Sequence, residues 1–258
     1  MFDLFLDFFA YRDNFLTRMD ARIKIMGAIA LIWCDILSSK ILLPLIILVT
    51  CVAVLLIIGV PGRLVSLRIV SPAGIVLVLM ALQTFTVPGT VLFTVTLGGA
   101  HFPATYEGLQ RGVVLGARIF CAVTVMTLLG ATVPAQKMFH ALRWLKCPAT
   151  WVETALLMYR YIFLLADQTS DILAAQRVRL GYSTVQTSLR SLGVLGGTIL
   201  TRSLDQATRT YEAMSLRGYD GIMKFDPLPR MSRRESFGVV AFLVSVTSLY
   251  VLLEWYVS

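Results

Sequence analysis

From Ile41 to Val60 the chain runs without a single charged side chain, and a run of that length predicts a helix crossing a bilayer. About 20 apolar residues rising 1.5 Å each match the roughly 30 Å hydrocarbon layer. Three further runs read the same way: Pro72 to Val87, Gly108 to Thr132, and Ser236 to Val257, which ends in Trp255 and Tyr256 as an interfacial anchor. Ile25 to Leu37 is shorter and has to borrow flanking residues to span. Hydrophobic residues make up 57% of the chain against 15% charged, and the mean hydropathy is +0.77, which excludes a soluble domain. The expected fold is an all-α integral membrane protein with about five transmembrane helices.

Charge orients those helices. Arg12, Arg18, Arg22 and Lys24 crowd the first span, whereas Gly89 to Glu107 contains no lysine or arginine. Cytoplasmic loops carry the cationic excess, so the N-terminus is expected inside, Pro61 to Arg68 is an inner turn, and 89–107 is an outer connection. Between Lys137 and Arg234 there are 14 Lys and Arg against 7 Asp and Glu, which is +7 of the chain's net +8. That segment is expected on the cytoplasmic side, with the C-terminus outside. The expected division is an N-terminal arm at 1–23, four spans at 24–132, a cytoplasmic region at 133–235 and a last span at 236–258. No cleavable signal is expected, since Asp3 and Asp7 stand where a basic leader would begin.

The cytoplasmic region reads as two long amphipathic helices after a shorter one at about 135–146. In 151–179, Glu153, Arg160 and Asp167 recur every seven residues with Asp171 four further on, so they share a face. Arg160 leaves no uncharged stretch long enough to cross a bilayer. In 189–217, Arg202, Asp205, Arg209 and Glu212 alternate in sign opposite an apolar face of Leu192, Ile199, Leu200, Leu204, Tyr211 and Met214. Gly193 and Gly197, four apart, with Gly196 between, would admit a second helix backbone, which predicts that the long helices cross there.

Several chemistries are missing from the sequence. None of the five lysines follows a glycine, so there is no phosphate-cradling loop for nucleotide hydrolysis. His101 and His140 fall on opposite sides of the membrane in this topology, which prevents an acid/base pair or a metal cluster. The basic segment has no interleaved aromatics, which argues against nucleic acid. Cys34, Cys51 and Cys121 lie in apolar runs as small hydrophobes. Charges within spans are costly and call for a role: Arg111 and Arg118 share a face of the fourth span, with Glu107 four before Arg111 and Asp35 placed to pair with Arg118. A structural ion pair and contact with a membrane partner both fit them.

Two phrases repeat inside the polar region: Ala175-Gln176-Arg177-Val178-Arg179-Leu180-Gly181-Tyr182 and Ala213-Met214-Ser215-Leu216-Arg217-Gly218-Tyr219. Each closes a long helical pattern with arginine and then glycine, so glycine is expected to supply the left-handed residue that stops the helix, and the carbonyl end of the macrodipole favours the cation.

With these phrases, Leu16 to Lys24 and Glu153 to Tyr161, the chain resembles the transmembrane T component of energy-coupling-factor transporters, in the cobalt/nickel branch called CbiQ or NikQ. The resemblance covers nearly the whole length. It implies a non-catalytic subunit of a bacterial or archaeal cell membrane importer, binding no cofactor itself, with ATP and magnesium held by partners. The implied partners are two ABC-type ATPase subunits, a substrate-binding S component of the CbiM/NikM type, a small accessory membrane subunit and the lipid bilayer. It also implies that two arginine-centred helix ends dock into grooves on the ATPases. Carried over, Ala213, Leu216, Arg217 and Gly218 form the second motif, and Arg177, Arg179 and Gly181 the first, where the parallel with Arg217 favours Arg179. Two other classes compete with this reading. A self-sufficient secondary transporter or channel predicts inverted repeats around a midplane site, and neither shows in the sequence. A passive scaffold would leave partner ATPase activity uncoupled from transport.

Overall fold

A computed structural model of the chain describes residues 20–38, 40–97 and 100–221, together with Val244, Thr247 and Ser248. The arm before residue 20 and the expected last span lie outside the described residues, apart from those last three positions. The chain divides into two compact units, Met1–Met138 with Pro229–Ser258, and Phe139–Leu228.

The first unit is built on one long helix. Its described elements are α1 (Ala21–Leu37), α2 (Leu42–Ile57), α3 (Gly62–Val70), α4 (Ala73–Thr86), a hairpin of β1 (Val91–Leu97) and β2 (Ala100–Thr105), and α5 (Tyr106–Thr132). All four preceding helices pack on α5. Ala28 of α1, Leu43, Ile47 and Cys51 of α2, and Cys121 and Val125 of α5 form one buried cluster; Leu55, Ile58, Val60, Val65 and Ala131 form a second. Burying a side chain of this kind stabilises by about 1.5–3 kcal/mol. Outward-facing residues stay apolar, among them Trp33, Ile57 and Leu77 at 65%, 80% and 69% exposure, as lipid contact requires. Among the described residues, two helical stretches are long and apolar enough to cross a membrane, Gly62–Thr86 and Tyr106–Thr132. At 17 and 16 residues, α1 and α2 fall short of about 20.

Two local expectations change. The inner turn at 61–68 is helical: Pro61 precedes the helix, where its missing N–H costs nothing, and α3 runs on to Val70. Pro72 then separates α3 from α4 while its carbonyl accepts from Val76 N–H at 2.9 Å. The outer connection contains an antiparallel hairpin, with Val91 opposite Thr105 and Leu97 opposite Ala100. The run of β-branched and aromatic residues from Val91 to Thr96, followed by Gly98-Gly99, is the sequence cause. Thr105 ends β2 and caps α5, its hydroxyl accepting from Gly108 N–H at 3.3 Å and donating to the Val87 carbonyl at 2.7 Å.

The seam between α4 and α5 is made by glycine. Gly108, Gly112 and Gly116, four apart, are buried. A Cβ on Gly112 would lie 3.1 Å from Met80 Cα and 3.3 Å from its carbonyl oxygen, and one on Gly108 only 2.5 Å from the Gln83 carbonyl oxygen. The two backbones touch.

The unit boundary falls inside α6 (Ala135–Trp144). The second unit continues with α7 (Ala149–Val178) and α8 (Val185–Leu216), 30 and 32 residues. Thr184 caps α8 in a reciprocal box with Thr187. Tyr159 stacks edge-on against Phe163 at 5.0 Å and Phe139 at 6.1 Å. Six residues join α7 to α8, a connection short enough to keep the two helices neighbours. Contacts join the helices at two distant places: Gln176 Nε2 donates to the Ser191 carbonyl at 3.0 Å, and the Tyr161 and Thr210 hydroxyls lie 2.7 Å apart. These points are about 22 Å apart along α7. The helices therefore run alongside each other, and no single crossing at the glycines joins them. A Cβ on Gly193, Gly196 or Gly197 would meet nothing within 4 Å.

Candidate functional site

Both arginine phrases end their helices in the same way. α7 is capped by Arg179 at φ −85°, ψ 15°, and Leu180 follows in the left-handed region at φ 56°. Leu180 N–H donates to the Arg177 carbonyl at 3.1 Å and Gly181 N–H to the Gln176 carbonyl at 2.9 Å, the paired bonds of a Schellman ending. α8 is capped by Arg217 at φ −92°, ψ 10°, with Gly218 left-handed at φ 79°. Gly218 N–H donates to the Ser215 carbonyl at 3.0 Å and Tyr219 N–H to the Met214 carbonyl at 3.1 Å. Arg179 and Arg217 thus hold equivalent positions, while Arg177 corresponds to Ser215. Arg177, Arg179 and Arg217 are exposed, as are Ala213 and Gly218.

The two ends differ in one respect that the repeated phrase conceals. Gly218 takes the left-handed position as expected, but at the first end Leu180 takes it and Gly181 comes one residue later. A left-handed L-residue costs roughly 1–2 kcal/mol, and Leu180 is 74% exposed. Gly181 has a separate reason to be glycine: a Cβ there would lie 2.7 Å from Ser191 Oγ, which donates to the Gly181 carbonyl at 2.9 Å. Tyr182 closes the corner, its hydroxyl donating to Gln176 Oε1 at 2.7 Å. The first end is braced against the start of α8. The second stands at the far end of α8, about 48 Å away at 1.5 Å per residue, with Leu216 90% exposed.

The charges expected within spans separate into two kinds. Arg118 donates a guanidinium N–H to the carbonyl of Ser38, the residue that caps α1. A cation there meets the negative end of the α1 macrodipole. Asp35 is 2% exposed and its Oδ1 has no hydrogen-bond partner among the described residues, nor has Arg118 Nε. No ion pair joins Asp35 and Arg118, and the guanidinium is engaged by the helix end instead. Arg111 is exposed and Glu107 does not bind it. Glu107 turns back to accept from Thr90 N–H at 2.7 Å and from the Thr90 hydroxyl at 3.1 Å, which the missing side chain of Gly89 permits, since a Cβ there would collide with the Glu107 carboxylate. Glu153 of α7 is 5% exposed with Oε1 unpartnered among the described residues.

Sequence reasoning overlooked the glycines at 108, 112 and 116, although their four-residue spacing was available as a signal, and it assigned close approach to 193 and 197 instead. It also overlooked Leu180, for which composition gives no signal because leucine rarely adopts positive φ.

The family model of the cobalt transport protein CbiQ matches residues 12–227. An uncharacterized protein of Methanocaldococcus jannaschii is 27% identical over 82% of this chain and 79% of its own length. The cobalt transport protein CbiQ of Rhodobacter capsulatus is 31% identical over 54% of this chain and 57% of its own. A chain of Methanocorpusculum labreanum, named as a putative fused cobalt transport protein CbiMQ, is 28% identical over 49% of this chain and 21% of its own. The matched region thus spans little more than half of the Rhodobacter relative and about a fifth of the fused one.

Proposed function

We propose, starting from the fact that the chain belongs to the CbiQ cobalt transport protein family, that it is the membrane coupling subunit of an ATP-driven importer of cobalt or nickel ions. The observation that carries this reading is the pair of equivalent helix ends presenting Arg179 and Arg217 to solvent about 48 Å apart on one stiff antiparallel pair. An arginine fork makes several charge-assisted hydrogen bonds to carboxylates and helix-end carbonyls, which suits a grip on two moving ATPase subunits. Two ends at that spacing suit two such subunits, each in a groove of its own. Their closure on ATP would displace the ends together, and α7 and α8 would carry the motion to the spans.

A separate membrane protein would then bind the metal ion, and the fused CbiMQ relative supports a CbiM-type chain in that role. The coupling unit would face the cytoplasm, with the N-terminus inside and the C-terminus outside. ATP and magnesium would sit on the partners.

Replacing both Arg179 and Arg217 with alanine tests the reading. Truncating a buried interfacial arginine typically costs about 2–5 kcal/mol, so the ATPases should no longer co-purify and metal uptake should stop. Full assembly with ATP-driven uptake in the double variant would refute the proposal. Metal flux through the chain reconstituted alone would favour a self-sufficient channel.

A further inference from the structure

Where α7 and α8 meet for the second time they enclose an open groove of about 360 Å³. Three guanidinium groups line it: Arg160 from α7, and Arg209 and Arg217 from α8. Among the described residues no carboxylate does. Asp205 and Glu212 stand four before and three after Arg209, at spacings that favour helix-surface ion pairs, yet among the described residues none of these arginines makes an ion pair with them. Three cations thus share one concavity that, among the described residues, no carboxylate lines. Elsewhere in the groove the hydrogen-bonded Tyr161 and Thr210 hydroxyls supply polar contacts and Met214 supplies an apolar wall. Met158 and Tyr211, next in sequence to the lining residues Leu157 and Thr210, are 61% and 66% exposed.

We propose that this groove is a binding site for the phosphodiester headgroup of an anionic phospholipid. A planar guanidinium matches phosphate oxygens in paired hydrogen bonds, and three of them around one volume exceed what a single carboxylate would neutralise. The apolar wall and the exposed Met158 and Tyr211 fit the glycerol and upper acyl chain that an anionic lipid brings and an inorganic ion lacks. A basic amphipathic helix pair with apolar residues next to its cations is the usual form of an anionic-lipid contact. Neither Arg160 nor Arg209 belongs to the two arginine motifs, so these two cations define the lipid site, and Arg217 is the one lining residue it has in common with the ATPase reading.

The test uses the full chain in mild detergent, with bound lipid counted by native mass spectrometry. The probes are dioleoylphosphatidylglycerol and dioleoylphosphatidylcholine. Wild type should retain the glycerol lipid in clear preference to the choline lipid. Arg160→Gln with Arg209→Gln should lower that affinity about 30-fold, at about 1 kcal/mol per arginine. Arg160→Lys with Arg209→Lys, which keeps charge and loses the fork, should fall between, and it carries the measurement if the glutamine pair fails to fold. Equal retention of both lipids by wild type, or undiminished retention by the glutamine pair, would overturn the proposal. Displacement of the lipid by equimolar inorganic phosphate would assign the site to a free anion, and displacement by an acidic glutamate peptide would assign it to a protein partner; either result defeats the lipid assignment. ATPase co-purification with the glutamine pair keeps the two readings distinguishable, since Arg179 and Arg217 remain in place.

Discussion

Alanine placed at Gly108 and Gly112 should have the opposite effect from alanine placed at Gly196 and Gly197, although all four are helical glycines. At Gly108 the new methyl would stand 2.5 Å from the Gln83 carbonyl oxygen, where ordinary contact begins at 3.4 Å. Gln83 O and Thr84 Cα at Gly108 and Met80 Cα at Gly112 belong to the α4 backbone and cannot rotate aside, and the Thr105 hydroxyl adds a side-chain contact at 2.7 Å from the Gly108 position. Helix α4 would have to withdraw by about 0.9 Å, a case of overpacking that costs about 1–3 kcal/mol per site. Alanine's better helix propensity returns at most about 1 kcal/mol each, so the seam pair should lose about 2 kcal/mol. At Gly196 and Gly197 no atom lies within 4 Å of the added methyl, only the propensity gain operates, and that pair should gain about 2 kcal/mol. Thermal unfolding of the chain purified alone in detergent reads both, at about 2–4 °C per kcal/mol for a chain of this size. The seam pair should melt lower than wild type and the open pair higher. A seam pair that melts at or above wild type would refute the backbone contact between α4 and α5.

Three further outcomes follow from the same geometry. Gly218→Ala, at φ 79°, should lower stability by about 1 kcal/mol, whereas Leu180→Gly should leave it unchanged or raise it by up to about 1 kcal/mol, both read by thermal melting. If Leu180→Gly nevertheless weakens ATPase co-purification, the leucine side chain is itself a partner contact; if assembly is unaffected, it is not. Arg118→Met should cost about 1–3 kcal/mol by stripping the Ser38 carbonyl of its donor. Adding Asp35→Asn should recover part of that loss, and strict additivity of the two changes would show that the residues are not coupled.

The spans were legible where apolar runs were long, because the bilayer imposes a length on them. The long helix α7 was legible from the seven-residue charge period of Glu153, Arg160 and Asp167, in which Arg160 interrupts the apolar run. Pro61 was misread as opening a turn because the same residue that forbids a helix interior is tolerated just before its first residue. The glycine error has a different origin. Gly193-x-x-x-Gly197 and Gly108-x-x-x-Gly112 are identical as patterns, and which one meets another backbone depends on neighbours far away in sequence, here Met80 and Gln83. At the first arginine end the repeat marked where the helix stops but obscured its geometry: the glycine falls one residue late, so the left-handed role passes to Leu180. The parallel between Arg179 and Arg217 rested on sequence order alone, and their matching cap dihedrals give it a conformational basis.

Helix α5 is the one element against which α1, α2, α3 and α4 all rest, and α4 touches it backbone to backbone along the glycine seam. A bundle arranged this way has an axle. Turning α5 by a few degrees would drag each of these neighbours by its own contacts rather than through a relay from one outer helix to the next, and Val133 and Pro134 join that axle directly to α6.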